Sequence, residues 1–134
     1  MAKTSITAIV TLMVFLNLVS CKSGSTDKNI LTLTTENFAG ETGKGVVMVD
    51  FWATWCMPCK AMAPVIEEIA AQTKGKVKVG KVDVDANAPL ANQFGIQAIP
   101  TIIIFKDGQA VETLVGIQSK AALINAISKY ATLE

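Results

Sequence analysis

The stretch Val46–Lys60, VVMVDFWATWCMPCK, decides the fold. It opens as a run of β-branched and aromatic residues, the composition of a central strand covered on both faces, and one acid, Asp50, interrupts it. It closes in a Cys56-x-x-Cys59, and from there the apolar period is helical. Met62, Val65, Ile66, Ile69 and Ala70 lie on one side and Glu67, Glu68, Gln72 and Lys74 on the other, with Gly75 as the stop and Pro64 expected to kink the helix. Two thiols three residues apart at the start of a helix are a redox device. The helical turn brings their Cα atoms to roughly 5–6 Å, the separation a disulfide prefers, so the pair opens and closes with little backbone movement.

Other uses of the pair fare worse. A closed zinc site needs four ligands, and the chain has no histidine and no second cysteine pair, so no metal is expected. A permanent disulfide around so small a loop would add little stability, because loop-closure stabilisation grows with loop length. Cys56 and Cys59 are therefore the candidate active site.

Outward from this stretch, strands and helices alternate. Ile30–Leu33 reads as a short first strand, with Thr34 or Thr35 capping a short helix around Glu36–Glu41 before Gly43-Lys44-Gly45 breaks the pattern. Lys76–Asp85, KVKVGKVDVD, reads as a strand. Asn87 is placed to cap a helix through Phe94 that Pro89 enters in its first turn and Gly95 ends. Thr101–Phe105, the turn Lys106-Asp107-Gly108 and Gln109–Val115 read as an antiparallel hairpin. Ser119 caps a last helix whose stripe of Ala122, Leu123, Ala126, Ile127 and Tyr130 is a core face. The order β-α-β-α-β-α-β-β-α predicts an α/β fold, a mostly parallel sheet with helices on both faces and antiparallel strands added by the hairpin.

The first 21 residues differ from the rest. Lys3 is a thin positive start, Ile6–Val19 is an apolar run too short to span a bilayer comfortably, and Leu18-Val19-Ser20-Cys21 ends it. Residues 1–20 read as an export signal, and Leu-Val-Ser-Cys resembles a bacterial lipobox, in which the cysteine becomes the first mature residue and carries lipid. An uncleaved signal anchor and an ordinary secretory signal with a leftover cysteine are the alternatives. Cysteine arithmetic favours lipidation: of three thiols, Cys21 is the one left over once Cys56 and Cys59 pair. Multiple acyl chains hold a domain firmly, whereas a single chain is marginal. Residues 21–29 then form the lipidated cysteine and a small, polar tether reaching at most ~25–30 Å over its last eight residues, and 30–134 form one domain.

Composition narrows the function. The 134 residues, 51% apolar, suit a single domain with an ordinary core. All 12 basic residues are lysine, against 11 acids, and loss of Lys3 with the signal leaves the two balanced. A near-neutral chain without arginine or a basic run argues against a nucleic-acid partner. Without histidine there is no Cys-His, Ser-His or His-metal mechanism. Asp50, in a strand that should be buried, is costly unless partnered or protonated; a salt-bridged structural acid and a general base are both open. Pro100 cannot donate to a ladder and suits the entry of a strand.

Residues 30–134 resemble thioredoxin over essentially their whole length. The likeness is carried by VDFWATWCMPCK at 49–60, Pro64, VGKVDVD at 79–85, FGIQAIPT at 94–101 and IFKDG at 104–108. The resemblance implies the thioredoxin fold, a central mixed β-sheet flanked by helices on both faces. It implies that Cys56 is the nucleophile, its outward-facing thiol favoured as thiolate by the helix N-terminus, and that Cys59, one turn further in, resolves the mixed disulfide. Asp50 becomes the buried acid beneath the disulfide that helps move the proton of Cys59, with Lys81 near it. Pro100 becomes a cis-proline packed on the cysteines, and Ile99 offers its backbone to a partner polypeptide. Trp55, Met57, Pro58 and Gly116 complete the substrate-binding candidates, while Trp52 packs under the active-site loop. Two positions depart from the family: Met57-Pro58 stands for the usual Gly-Pro between the cysteines, and Ala98 for the usual Gly.

The resulting expectation is a monomeric thiol-disulfide oxidoreductase, exported to the periplasm or cell-envelope face and membrane-anchored through Cys21, that reduces disulfides in other exported proteins. An oxidase or isomerase of exported proteins is the rival with the same chemistry, and a non-catalytic binding module is a rival of another class. No nucleotide or flavin motif is present, so no cofactor is expected and electrons must come from a thiol donor, for which a transmembrane carrier is the natural source.

Overall fold

The computed structural model describes residues 29–134; the signal segment, Cys21 and all of the tether but Asn29 lie outside them. The strand at the centre is β2, Val46–Trp52, buried along its length except at Trp52. Its neighbours follow from its composition: a strand apolar on both faces needs cover on both. On one side it pairs in parallel with β3, Val77–Asp83, with Val46 opposite Val77 and Trp52 opposite Asp83. On the other it pairs antiparallel with β4, Thr101–Lys106, which turns through Asp107-Gly108 into β5, Gln109–Val115. Both turn residues have positive φ, as a two-residue hairpin turn demands. The short β1, Ile30–Thr32, pairs in parallel with the outer edge of β3, giving the order β1-β3-β2-β4-β5.

Four helices cover this sheet: α1, Phe38–Thr42; α2, Met57–Gln72; α3, Ala88–Gln93; and α4, Lys120–Ser128. One core lies between the sheet and α2 with α4, where Met48 and Ile104 meet Met62, Ile66, Ile69, Leu123 and Ile127. The other lies beneath α1 and α3, where Val47, Val49 and Phe51 meet Phe38 and Leu90. There Phe38, Phe94 and Phe105 pack with ring centroids 5.1–5.2 Å apart, edge-on or tilted as aromatic quadrupoles prefer. The expected mixed sheet with helices on both faces is the observed one.

Several local expectations shift. The first helix starts at Phe38 rather than Glu36, and neither Thr34 nor Thr35 caps it. Asn37 turns its side chain back instead, accepting from the Thr34 N–H at 2.8 Å and donating to the Thr32 carbonyl. Asn87 precedes α3 as expected but does not cap it: its carboxamide accepts from the Thr35 N–H, 52 positions away, tying α3 to the segment after β1. The hydrogen bond that local chemistry would give the helix is used for tertiary structure. α2 runs unbroken through Pro64. Ser119 caps α4 as its position promised, accepting from the Ala122 N–H.

Candidate active site

β2 delivers its C-terminal end, through Ala53-Thr54-Trp55, to the N-terminus of α2, and there Cys56 and Cys59 are joined as a disulfide with Cα atoms 5.3 Å apart. Cys56 is the N-cap of α2: its sulfur accepts from the Cys59 N–H at 3.2 Å, in the place a serine or aspartate oxygen usually takes. Pro58, in the first turn, lacks an N–H where the helix has no acceptor for one. The first thiol is less outward than its position in sequence suggests. Cys56 is 4% exposed and Cys59 2%, because Trp52, Val84 and Ile99 pack against the pair, so Cys56 is reached only from the groove it borders.

That groove, about 670 Å³, is lined by Trp55, Cys56, Met57 and Pro58 on one side and by Val84 and Ile96–Ile99 on the other, with no charged side chain in its wall. Trp55 and Met57 project from its rim, 65% and 70% exposed. The Trp55 indole is held by its N–H donating to Asp85 Oδ2 at 2.8 Å. The facing loop is pinned at two points: Thr101 Oγ1 donates to the Ala98 carbonyl at 2.6 Å, and the Gly116 N–H donates to the Pro100 carbonyl at 2.8 Å. The Ile99–Pro100 peptide is cis. Pro100 itself is buried and does not line the groove, leaving the half-buried Ile99 as the member of that pair that reaches it. Gly116, with φ +83°, has open space where a Cβ would sit.

Beneath the disulfide end of the sheet Asp50 is fully buried, and neither carboxylate oxygen has a hydrogen-bond partner among the described residues. Burial pushes its pKa from an ordinary 3.8 up to about 6, against a smaller downward pull from the Lys81 ammonium. Lys81 faces Asp50 across the β2–β3 pairing, and its Nζ lies 4.5 Å from the centre of the Trp52 ring. A salt-bridged structural role for Asp50 therefore fails; the acid sits unpaired, at a pKa suited to exchanging protons near neutrality.

Sequence reasoning named one wall of the groove and missed most of the other. Val84, Ile96 and Gln97 reach the groove through loop geometry that no periodicity announces. Asp85 was legible in principle, since an indole N–H beside a redox site needs an acceptor and the VDVD segment ends in one.

A mixed sheet with a Cys-x-x-Cys disulfide at the N-terminus of its longest helix, bordering an apolar groove, defines a thiol-disulfide oxidoreductase. Sequence comparison agrees. The profile of the Thioredoxin family matches residues 29–129. The chain is 46% identical over 101 residues to the thioredoxin of Bacillus subtilis (strain 168) and equally to that of Staphylococcus aureus (strain N315), in each case over 75% of this chain and 97% of the relative. This chain belongs to the thioredoxin family.

Proposed function

We propose that the protein is an exported, membrane-tethered protein-disulfide reductase. The observation that carries the thiol-disulfide chemistry of this reading is the Cys56–Cys59 pair at the α2 N-terminus, its first sulfur open to the groove, with an unpaired, buried Asp50 in the strand that leads to it. In the reduced protein the Cys56 thiolate, stabilised by the Cys59 N–H and the α2 N-terminus, attacks one sulfur of a substrate disulfide. A mixed disulfide forms and the substrate's other sulfur leaves as thiolate. Asp50 takes the Cys59 proton, and the Cys59 thiolate then attacks Cys56 Sγ, expelling the second substrate thiolate and closing the Cys56–Cys59 disulfide. Two electrons pass to the substrate, and a thiol donor returns them; a transmembrane thiol carrier suits the compartment. Ile99 and Gly116 offer the approaching polypeptide a backbone edge, and Trp55, Met57 and Pro58 an apolar wall.

Export and tethering rest on the first 21 residues: the apolar run, the Leu-Val-Ser-Cys at its end and a third cysteine without a partner in the redox pair. The family match beginning at residue 29 leaves those residues as an addition to the domain.

The deciding experiment is the reduction potential of the Cys56–Cys59 couple. Reference values are about −270 mV for thioredoxin and about −120 mV for a strong disulfide oxidant, a gap of roughly 7 kcal/mol. A value near the first supports the reductase; one near the second makes the protein a disulfide-forming enzyme and overturns this reading. Cys21→Ser should release the full chain from membranes washed at high salt, and a variant that stays bound under that wash removes the lipid anchor.

A further inference from the structure

Five of the nine lysines among the described residues are dispersed in the sequence but not in space. Lys44 precedes β2, Lys74 and Lys76 flank Gly75 ahead of β3, Lys78 lies near the start of β3, and Lys106 ends β4 opposite Val46. Because β2 and β3 start side by side, Val46 against Val77, these five gather at one end of the sheet. Lys44, Lys76 and Lys78, with Gly45 and Gly75, wall a hollow of about 220 Å³ there. Two acids stand among them: Glu41, paired with Lys78, and Asp107, 3.9 Å from Lys106 and accepting from the Gly45 N–H. Lys44, Lys74 and Lys76 are exposed and have no ion pair among the described residues. A chain with nearly balanced charge thus carries a positive pole.

The polypeptide enters the domain at this same pole. Ile30 pairs with Val79, so the residue before it arrives beside Lys78, about one strand spacing of ~4.8 Å away. The redox disulfide lies beyond the opposite end. From Val46 to Trp52 the sheet rises about 20 Å at roughly 3.3 Å per residue, and α2 starts past that. The tether sequence continues the positive charge, with Lys22 and Lys28 against Asp27.

We infer that this lysine pole is a docking surface for an anionic phospholipid bilayer, which seats the domain with its groove directed away from the membrane. The inference rests on the lipid anchor at Cys21 proposed above. An eight-residue tether alone, reaching at most ~25–30 Å, keeps the domain near the bilayer without choosing a face. Charge complementarity chooses one: lysines within a Debye length of an anionic surface are drawn to it, and three unpaired lysines stand at the end farthest from the disulfide, whereas at the disulfide end the unpaired, exposed Lys60 is offset by Asp83 and Asp85.

The test uses the domain Asn29–Glu134, which carries the whole sheet and both cores and matches relatives over 97% of their length. It is sedimented at low salt with vesicles of phosphatidylcholine alone or mixed equally with phosphatidylglycerol. Sedimentation with the anionic vesicles only, reversed by salt, is expected. Lys44→Gln/Lys74→Gln/Lys76→Gln should weaken it on the order of 100-fold while insulin reduction is unchanged. Equal binding to both vesicles, undiminished binding of the triple variant, or binding of inorganic phosphate without binding of vesicles would overturn the surface. Membrane fractionation of the full-length Cys21→Ser chain reports separately on the anchor: its release together with absent vesicle binding refutes the docking surface and leaves the anchor standing.

Discussion

Asp50 and Lys81 face each other across parallel strands β2 and β3, yet the carboxylate accepts no hydrogen bond among the described residues and the ammonium lies over the Trp52 ring instead. The lysine lowers the acid's pKa without pairing with it, and burial prevails, leaving the carboxyl at about 6.

Asp50→Asn should therefore stabilise the protein above neutrality. Between the ordinary value of 3.8 and about 6 the folded state holds a proton that the unfolded chain has released, so stability falls as pH rises through that window. The accumulated loss is about 3 kcal/mol, which Asn, neutral at every pH, does not suffer. Urea unfolding at pH 8 should show the variant more stable by up to that amount, and the difference should vanish below about pH 4. Equal stability at pH 8 would mean that burial does not raise the Asp50 pKa above its value in the unfolded chain.

Lys81→Met removes the charge that holds the Asp50 pKa down. The pH at which mixed-disulfide resolution reaches half its maximal rate should move upward, read by single-turnover kinetics across pH 5 to 9. An unmoved midpoint would detach Lys81 from the proton step.

Cys59→Ser should accumulate mixed disulfides through Cys56, visible on non-reducing gels and reversed by dithiothreitol. Cys56→Ser should abolish insulin reduction, because Cys59, unlike Cys56, does not line the groove through which a substrate disulfide approaches. A non-catalytic binding module would keep its partners without either thiol.

Met57 is 70% exposed and brings neither charge nor a hydrogen-bond donor to Cys56. Met57→Gly should shift the reduction potential by less than about 60 mV, roughly 2.8 kcal/mol, while raising KM for substrates with apolar residues beside the disulfide. A larger shift would give Met57 an electronic role that its position does not explain.

Gly80→Ala tests the core beside β1. A Cβ at Gly80 would collide with the Leu33 side chain, which is fully buried and has nowhere to retreat. The cost should be about 1–3 kcal/mol in chemical denaturation, as overpacked cores show. In a double-mutant cycle with Leu33→Ala, the two substitutions together should cost less than the sum of each alone.

The element order, the hairpin, the Ser119 cap and the cysteine pair were legible because each is written in local chemistry: periodicity, turn residues, a hydroxyl at a helix start. The Thr34 or Thr35 cap and the Asn87 cap failed for the opposite reason. Asn87 has the right residue type for a cap but uses its side chain to tie down backbone far outside the helix it precedes, and Asn37, which precedes the first helix, likewise bonds back to Thr34 and Thr32. The groove was half legible, since Trp55–Pro58 belong to the motif whereas Val84 and Ile96–Gln97 come to it through folds of the chain. The lysine pole was not legible at all, being assembled from the starts of two strands and the end of a third.

The short edge strand has a mechanical meaning. β1 runs parallel to β3 from the point where the upstream chain arrives, and the hydrogen bond from Leu33 N–H to the Lys81 carbonyl extends the pairing beyond its last residue. Tension applied at Asn29 along the strand axis loads these bonds together in shear, not one after another as in peeling. Three paired residues thus act as a single fastener, and a pull on the upstream chain is resisted collectively before it can reach the central strand that leads to the disulfide.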